Sequence, residues 1–328
     1  MLEKDLLTRI GLKLGHYTDS ANITGMSVFI AESGAHIGID IRGSSSGTLN
    51  TGVYEAKAAG RLVHAVLLTG GSLFGLESAF GAMRFLEEND IGSTTRAGVI
   101  PLITGAVIYD LPVGNAHVRP NRENGYQAAQ SASYDQFAQG CVGVGTGATV
   151  GKWVNGVPMK GGFGIGATTI NEILVVAFAV TNAVGDVVNP KVGQFYSECG
   201  KQELVNRSFN PEVERLNGLI ASSFMAPANT TLAVIATNMS LHKTQLMKVA
   251  ELAHDGMARA IHPIHTNLDG DVIFALSSLS GERRDVSHMS EMTCVDVVGI
   301  AAADALVKAI NNSVRYASAI AGFPAYAP

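Results

Sequence analysis

The stretch from Ala228 to Asn238 constrains this chain most: an asparagine and two threonines run straight into Leu232-Ala233-Val234-Ile235-Ala236. A short unbroken run of small and branched apolar residues, closed by Asn238-Met239-Ser240, reads as a strand buried on both faces. Threonine is favoured in strands, so Thr230 and Thr231 can be read as ordinary β-formers. The other reading is chemical. A threonine hydroxyl becomes a good nucleophile when a base lies beside it, and its own α-amine is such a base if the residue begins a chain. Thr230 meets that condition only if the chain is cut between Asn229 and Thr230.

The rest of the sequence says what kind of molecule surrounds this strand. Its 328 residues allow two domains or one large α/β domain. Charged residues are 16% of the chain, against about 25% in ordinary globular proteins. That predicts extensive burial, subunit interfaces included. A net charge of −5 with no basic run argues against nucleic acid as a partner. The start, Met1-Leu2-Glu3-Lys4-Asp5, lacks the apolar core of a secretory signal. No apolar run approaches the ~20 residues of a membrane span; the longest, Ile173 to Val180, is strand-sized. Three well-separated cysteines, Cys141, Cys199 and Cys294, make no disulfide framework and point to a reducing, cytoplasmic setting. Cys294 sits in an apolar helical pattern; Cys141 lies in a glycine-rich loop.

Along the chain, Met26 to Ala31 and His36 to Ile41 read as two strands of a hairpin turning at Glu32-Ser33-Gly34-Ala35. Leu62 to Leu68 is a strand that runs through Thr69-Gly70-Gly71-Ser72 into an amphipathic helix from Leu73 to Asn89. Strand, Gly-Gly-Ser, helix is the layout of a backbone N–H nest for an anion or oxyanion, and equally that of a tight turn capped by Ser72. Val99 to Ile103 and Ala106 to Leu111 read as strands about Thr104-Gly105, and Asn121 to Tyr134 as a helix. Leu174 to Val180 is another buried strand. Val188 to Arg207 reads as a long loop and Pro211 to Ser222 as a helix, making the one credible linker just before Thr230. Lys243 to Arg259 is a helix, Asp271 to Ser278 a strand, and Ser287 to Asn311 a long helix.

Three segments match known motifs in part. Gly43-Ser44-Ser45-Ser46-Gly47 matches a nucleophile elbow in letters, but no helix signal follows the serine. The glycine-rich run ending in Gly151-Lys152 lacks a glycine at position 146 and has Trp153 where a P-loop needs Ser or Thr, so it is not a nucleotide site. His262, His265, Asp269 and Asp271 fall within ten residues and could ligate a metal. Pro263 prevents the two histidines from sharing a helix face, and the segment lacks the acids of a calcium loop. It can also be a turn whose Asp-Gly opens the next strand, or a source of a carboxylate that orients a nucleophile or its amine.

Taken together, the segments Leu67 to Glu77, Gly105 to Asp110, Gly147 to Lys152, Asn229-Thr230-Thr231 and His265 to Asp271 resemble, in that order, the DmpA-type family of peptidases. These are self-cleaving aminopeptidases, β-aminopeptidases and amidases that include the nylon-oligomer hydrolase. The likeness runs from the Gly15-His16 region to the C-terminal helix. It implies an α/β fold: one four-layer αββα sandwich over residues 1–328, with two antiparallel sheets between helices. It implies self-cleavage before Thr230 into an α chain of residues 1–229 and a β chain of residues 230–328, assembled as a tetramer of αβ units. Thr230 would be the nucleophile of an N-terminal-nucleophile hydrolase, acting on small peptides or amides through an acyl-enzyme without a cofactor or metal. Asp269 and Asp271 match the acidic network around nucleophile and amine. Lys152 matches a lysine beside them, Asn182 an oxyanion-hole asparagine and Tyr109 a tyrosine of the same pocket. Gly70, Gly71 and Ser72 would form a substrate or oxyanion loop. Many members carry Gly-Ser at the cut and a Ser/Glu pair where this chain has Asp269 and Asp271. Asn-Thr with Asp/Asp is closer to the nylon-oligomer hydrolase branch. Ornithine acetyltransferases share the fold, but their Met-Ala-Thr type of cleavage motif is missing. An uncleaved binding or structural oligomer, with Thr230 merely opening a strand, is the non-enzymatic alternative.

Overall fold

A computed structural model describes residues 5–59, 61–152, 158–190, 193–196, 229–284 and 289–326. Its centre is a nine-stranded sheet. The strands are β1 (Lys13–Asp19), β2 (Thr24–Ile41), β3 (Thr48–Leu49), β4 (Val63–Thr69) and β5 (Ile103–Val107), followed by β6 (Phe163–Ile170), β7 (Ile173–Asn182), β8 (Thr230–Thr237) and β9 (Val272–Ser278). They lie in the order β6-β7-β8-β9-β2-β4-β5-β3, with β1 paired to β2. The helices are α1 (Leu6–Ile10), α2 (Ser78–Glu88), α3 (Arg122–Gln130), α4 (Lys243–Ala260) and α5 (Glu291–Arg315).

The expected hairpin is in fact one strand, and that strand makes the layers. β2 is unbroken over eighteen residues, and its register with β4 shifts between Ile30 and Ala35. The turn-like residues Glu32 and Ser33 are exposed on a bulge, and Gly34 takes a left-handed φ of 82°. A bulge bends and twists its strand. Here β2 pairs with β4 before the bend and with β9 after it. The two halves of the sheet therefore lie on opposite sides of one apolar layer.

Strand alternation assigns three apolar layers. Val176, Phe178, Val234 and Phe274 from one half meet Phe29, Val66 and Leu68 from the other. The outward residues Ala177, Ala233, Ile235 and Ile273 pack under α4 and α5. On the far side Met26, Val28, Ala65 and Leu67 pack under α2 and α3. The order is helix, sheet, sheet, helix, as the resemblance implied. The sheets are not purely antiparallel, however: β8 runs parallel to β9 and β4 parallel to β5. β5 also continues through Thr104-Gly105, where the sequence suggested a break. The expected helix at 211–222 and most of the preceding loop lie outside the described residues.

Phe178 lies at the middle of the central layer, fully buried, with its ring centroid 4.9 Å from Phe29 and 6.3 Å from Phe163. Phe178→Ala is expected to cost about 3–5 kcal/mol through lost transfer energy and the cavity left behind. Urea unfolding of the purified variant checks this.

Candidate active site

β8 lies between β7 and β9, so its first residues meet the end of one neighbour and the approach to the other. Thr230 is opposite Asn182, the last residue of β7. Leu232 is opposite Val272, which brings Asp271 level with Thr231. Lys152 enters just after the short strand Thr149–Val150, and Tyr109 just after β5. The sequence-predicted residues Tyr109, Lys152, Asn182, Asn229, Thr230, Asp269 and Asp271 thus fall around one strand end.

In this continuous chain the Thr230 hydroxyl donates to the carbonyl oxygen of Asn229 at 2.5 Å. The same oxygen accepts the Gly270 N–H at 2.7 Å. The carbonyl that a Thr230 nucleophile would attack is therefore held by a backbone donor at an oxyanion-hole distance. Gly270 is also sterically constrained. A Cβ there would lie 2.8 Å from both Thr230 Oγ1 and the Ser45 carbonyl oxygen. Sequence reasoning passed over this glycine; its place between two aspartates was the available signal.

Lys152 Nζ donates to the Asn229 side-chain oxygen at 2.6 Å and to Asn182 Oδ1 at 3.1 Å. Asn182 Oδ1 also accepts the Thr149 N–H at 3.0 Å, while its Nδ2 donates to the Tyr109 carbonyl at 3.2 Å. Two donors on one atom fix which end of the amide is oxygen. Tyr109 thus meets Asn182 through its main chain. Burial pushes the Lys152 ammonium down to about 7, with Asp269 opposing that shift and Lys160 adding to it. Lys160 is fully buried and binds the Thr146 and Ala148 carbonyls at 2.8 and 2.6 Å, fixing the turn that leads to Thr149.

Both aspartates are fully buried, but they do different things. Asp271 Oδ1 accepts the Thr231 N–H at 2.6 Å, one residue beyond the candidate nucleophile. Asp269 accepts the Val184 N–H at 3.2 Å and the Thr266 hydroxyl at 2.7 Å. Burial, then the charge of Asp271, raises the Asp269 carboxyl above its ordinary range. Among the described residues no group of three or more His, Cys, Asp or Glu is arranged to hold a metal. His265 is instead bonded to Asp271 through Nδ1 at 2.8 Å.

The Gly70-Gly71-Ser72 turn has its amides engaged. They donate to the Gly25 carbonyl, to Asp110 Oδ1 and to the Ile108 carbonyl. The nest is occupied by the chain's own carboxylate, Asp110, which also accepts from Thr24 at 2.8 Å. The serines after Gly43 buttress the acidic loop: Ser45 N–H donates to the Asp269 carbonyl at 2.9 Å, and Ser45 Oγ to the Asn267 carbonyl at 2.8 Å.

The layered αββα fold is that of the N-terminal-nucleophile hydrolase class, as solved structures show. The L-aminopeptidase D-Ala-esterase/amidase of Ochrobactrum anthropi, described as a variant of the Ntn hydrolase fold, superposes with a TM-score of 0.68 at 18% identity. That match covers 94% of this chain and 84% of the other. A Burkholderia sp. β-aminopeptidase gives a TM-score of 0.67 at 18% identity, over 95% of this chain and 87% of the other. The chain belongs to peptidase family S58, whose sequence profile matches residues 8–326. It is accordingly a hydrolase of peptide or amide bonds. An uncharacterized aminopeptidase of Mycobacterium tuberculosis (strain ATCC 25618 / H37Rv) is 38% identical over 335 residues, covering 96% of this chain and 95% of that protein. The 6-aminohexanoate-oligomer endohydrolase of Paenarthrobacter ureafaciens is 28% identical over 270 residues, covering 82% of this chain and 73% of that protein.

Proposed function

We propose that the chain is a self-processing amidase in which Thr230 first cuts its own peptide bond and then serves as an N-terminal nucleophile. One observation carries this reading: the Thr230 hydroxyl and the Gly270 N–H converge on the Asn229 carbonyl oxygen. Attack of Oγ on that carbonyl carbon closes a five-membered ring, with the oxyanion on Gly270 N–H. Collapse breaks the C–N bond and leaves Asn229 as an ester on Thr230, whose nitrogen takes a proton. Water then releases the Asn229 carboxylate and frees both hydroxyl and amine. The products are an α chain of residues 1–229 and a β chain of residues 230–328.

The freed amine has an ordinary pKa near 8, so a modest lowering makes it a base at neutral pH. In turnover it takes the Thr230 proton as Oγ attacks a substrate carbonyl, and returns it to the leaving amine. Lys152 stabilises the oxyanion, and Asn182, whose Nδ2 is engaged by the Tyr109 carbonyl, orients that ammonium through its Oδ1. Asp269 and Asp271 hold the new chain end. Water hydrolyses the acyl-enzyme, so no cofactor takes part.

Short peptides with a free amino end, or ω-amino acid oligomers, are the substrates that the named relatives suggest. A tetramer of αβ units is supported by the sparse charge and by the exposed Leu73, Phe74 and Phe80 at and before α2. A cytoplasmic setting is supported by the free Cys141 and Cys294. Cys199 lies outside the described residues. No helix among the described residues is long and apolar enough to cross a membrane.

Amine release from short unblocked peptides and from 6-aminohexanoate oligomers tests the activity, assayed with and without an added amine acceptor. Hydrolysis without acceptor is expected. Turnover only with acceptor would make the protein an acyltransferase, and loss of activity to a chelator would point to a metal.

A further inference from the structure

We infer that His265 is a positioning residue, which locks the Asp271 carboxylate and through it the strand end that carries Thr230. The inference rests on the reading of Thr230 given above. His265 puts two donors on one carboxylate oxygen: its ring Nδ1 is 2.8 Å, and its backbone N–H 3.2 Å, from Asp271 Oδ2. Oδ1 is thereby left to the Thr231 N–H at 2.6 Å. A fully buried carboxylate tied at both oxygens has one orientation open to it. Because a carboxylate only accepts, the His265 proton sits on Nδ1.

The backbone supports the same assignment. His265 has φ of 57°, in the left-handed region that side chains rarely adopt. That conformation is what lets the main-chain N–H and the ring reach the same oxygen. The ring is walled from behind by His254 of α4, edge-to-face with centroids 4.8 Å apart. His254 is itself anchored to β2, with Nε2 3.3 Å from the Asp40 carbonyl and 3.5 Å from Asp40 Oδ2. Burial drives the His254 pKa down to about 3, so the wall is a neutral ring.

The function of this arrangement follows from what the cut does. Once the Asn229–Thr230 bond breaks, Thr230 keeps its pairing with Asn182 of β7 but loses the chain before it. On the β9 side its nearest main-chain anchor is the Thr231 N–H on Asp271. If Asp271 can turn, the nucleophile and its amine lose their alignment with the carbonyl to be attacked. His265 therefore acts on both self-cleavage and turnover without touching either reacting bond.

The test compares His265→Gly with His265→Asn. Both residues tolerate a left-handed backbone, but only asparagine can return an N–H near the Nδ1 position. For glycine, the cleavage rate and kcat are expected to fall roughly 10–100-fold, the scale for losing an outer hydrogen-bond partner of a metal ligand. KM should hardly move, and asparagine should recover most of the loss. Wild-type rates in the glycine variant would overturn the assignment. So would an asparagine variant as slow as the glycine one, because the ring and not its hydrogen bond would then matter. If the glycine variant shows no cooperative melting, the asparagine variant decides alone: near-wild-type rates support the assignment, and a folded but slow variant overturns it. A wild-type protein that never cleaves before Thr230 would instead defeat the underlying reading, and would be seen before any variant is made.

Discussion

Thr230→Ala is expected to give a full-length chain with no measurable amide hydrolysis. The substitution removes the hydroxyl bonded to the Asn229 carbonyl, while the β8 ladder from Thr231 onward stays paired with β7 and β9. Fold and oligomer should survive, so circular dichroism should match that of a wild-type precursor. Removing the nucleophile of a covalent hydrolase lowers kcat roughly 10⁶-fold, below most detection limits. Thr230→Ser keeps a hydroxyl on the same carbon and is expected to retain both cleavage and turnover at reduced rates. Chain length on a denaturing gel and amine release read the two results separately.

Lys152→Met is expected to slow self-cleavage by removing the cation that holds the Asn229 side chain beside the bond to be cut, by up to the about 10²–10³-fold that losing an oxyanion donor costs. Lys152 is the cation that bonds both Asn229 and Asn182, and Asp269 lies within its field. Its ammonium, pushed down to about 7, is present below that pH and lost above it. Self-cleavage, which does not use the Thr230 amine, should therefore slow between pH 6 and 9 in the wild type. In Lys152→Met it should be slow and flat. Unfolding does not mimic this trend. A lysine lowered from 10.5 to about 7 binds fewer protons folded than unfolded, so its contribution to stability rises with pH across that window. Timed gels of freshly made precursor at several pH values give the profile.

Much of the site is legible in the chain because it is built from strand ends. An apolar run beginning Asn-Thr-Thr marks β8, and the Asp-Gly-Asp before another apolar run marks the approach to β9. Once those strands are neighbours, Thr230 and Asp271 must be close. The β2 bend is less legible. Glu32, Ser33 and Gly34 are turn residues by composition, and a bulge uses the same residues as a hairpin turn. Only the pairing of β2 with β4 and β9 distinguishes them. The contacts of Gly270 and His265 are not legible, for another reason. One acts through its main-chain N–H, and the other reaches Asp271 only because of a left-handed backbone turn. Neither property is a side-chain pattern. The Gly70-Gly71-Ser72 turn shows the converse: its nest geometry was readable, but its occupant, Asp110, comes from the end of a strand that is remote in sequence.

The central claim is that Thr230 becomes a chain end. Intact mass and N-terminal sequencing of the purified protein under denaturing conditions test it most directly. Two chains are expected, residues 1–229 and residues 230–328, the second beginning Thr-Thr-Leu-Ala. An uncut chain of 328 residues that hydrolyses amides at full rate would contradict the account, because no amine would then stand beside the Thr230 hydroxyl.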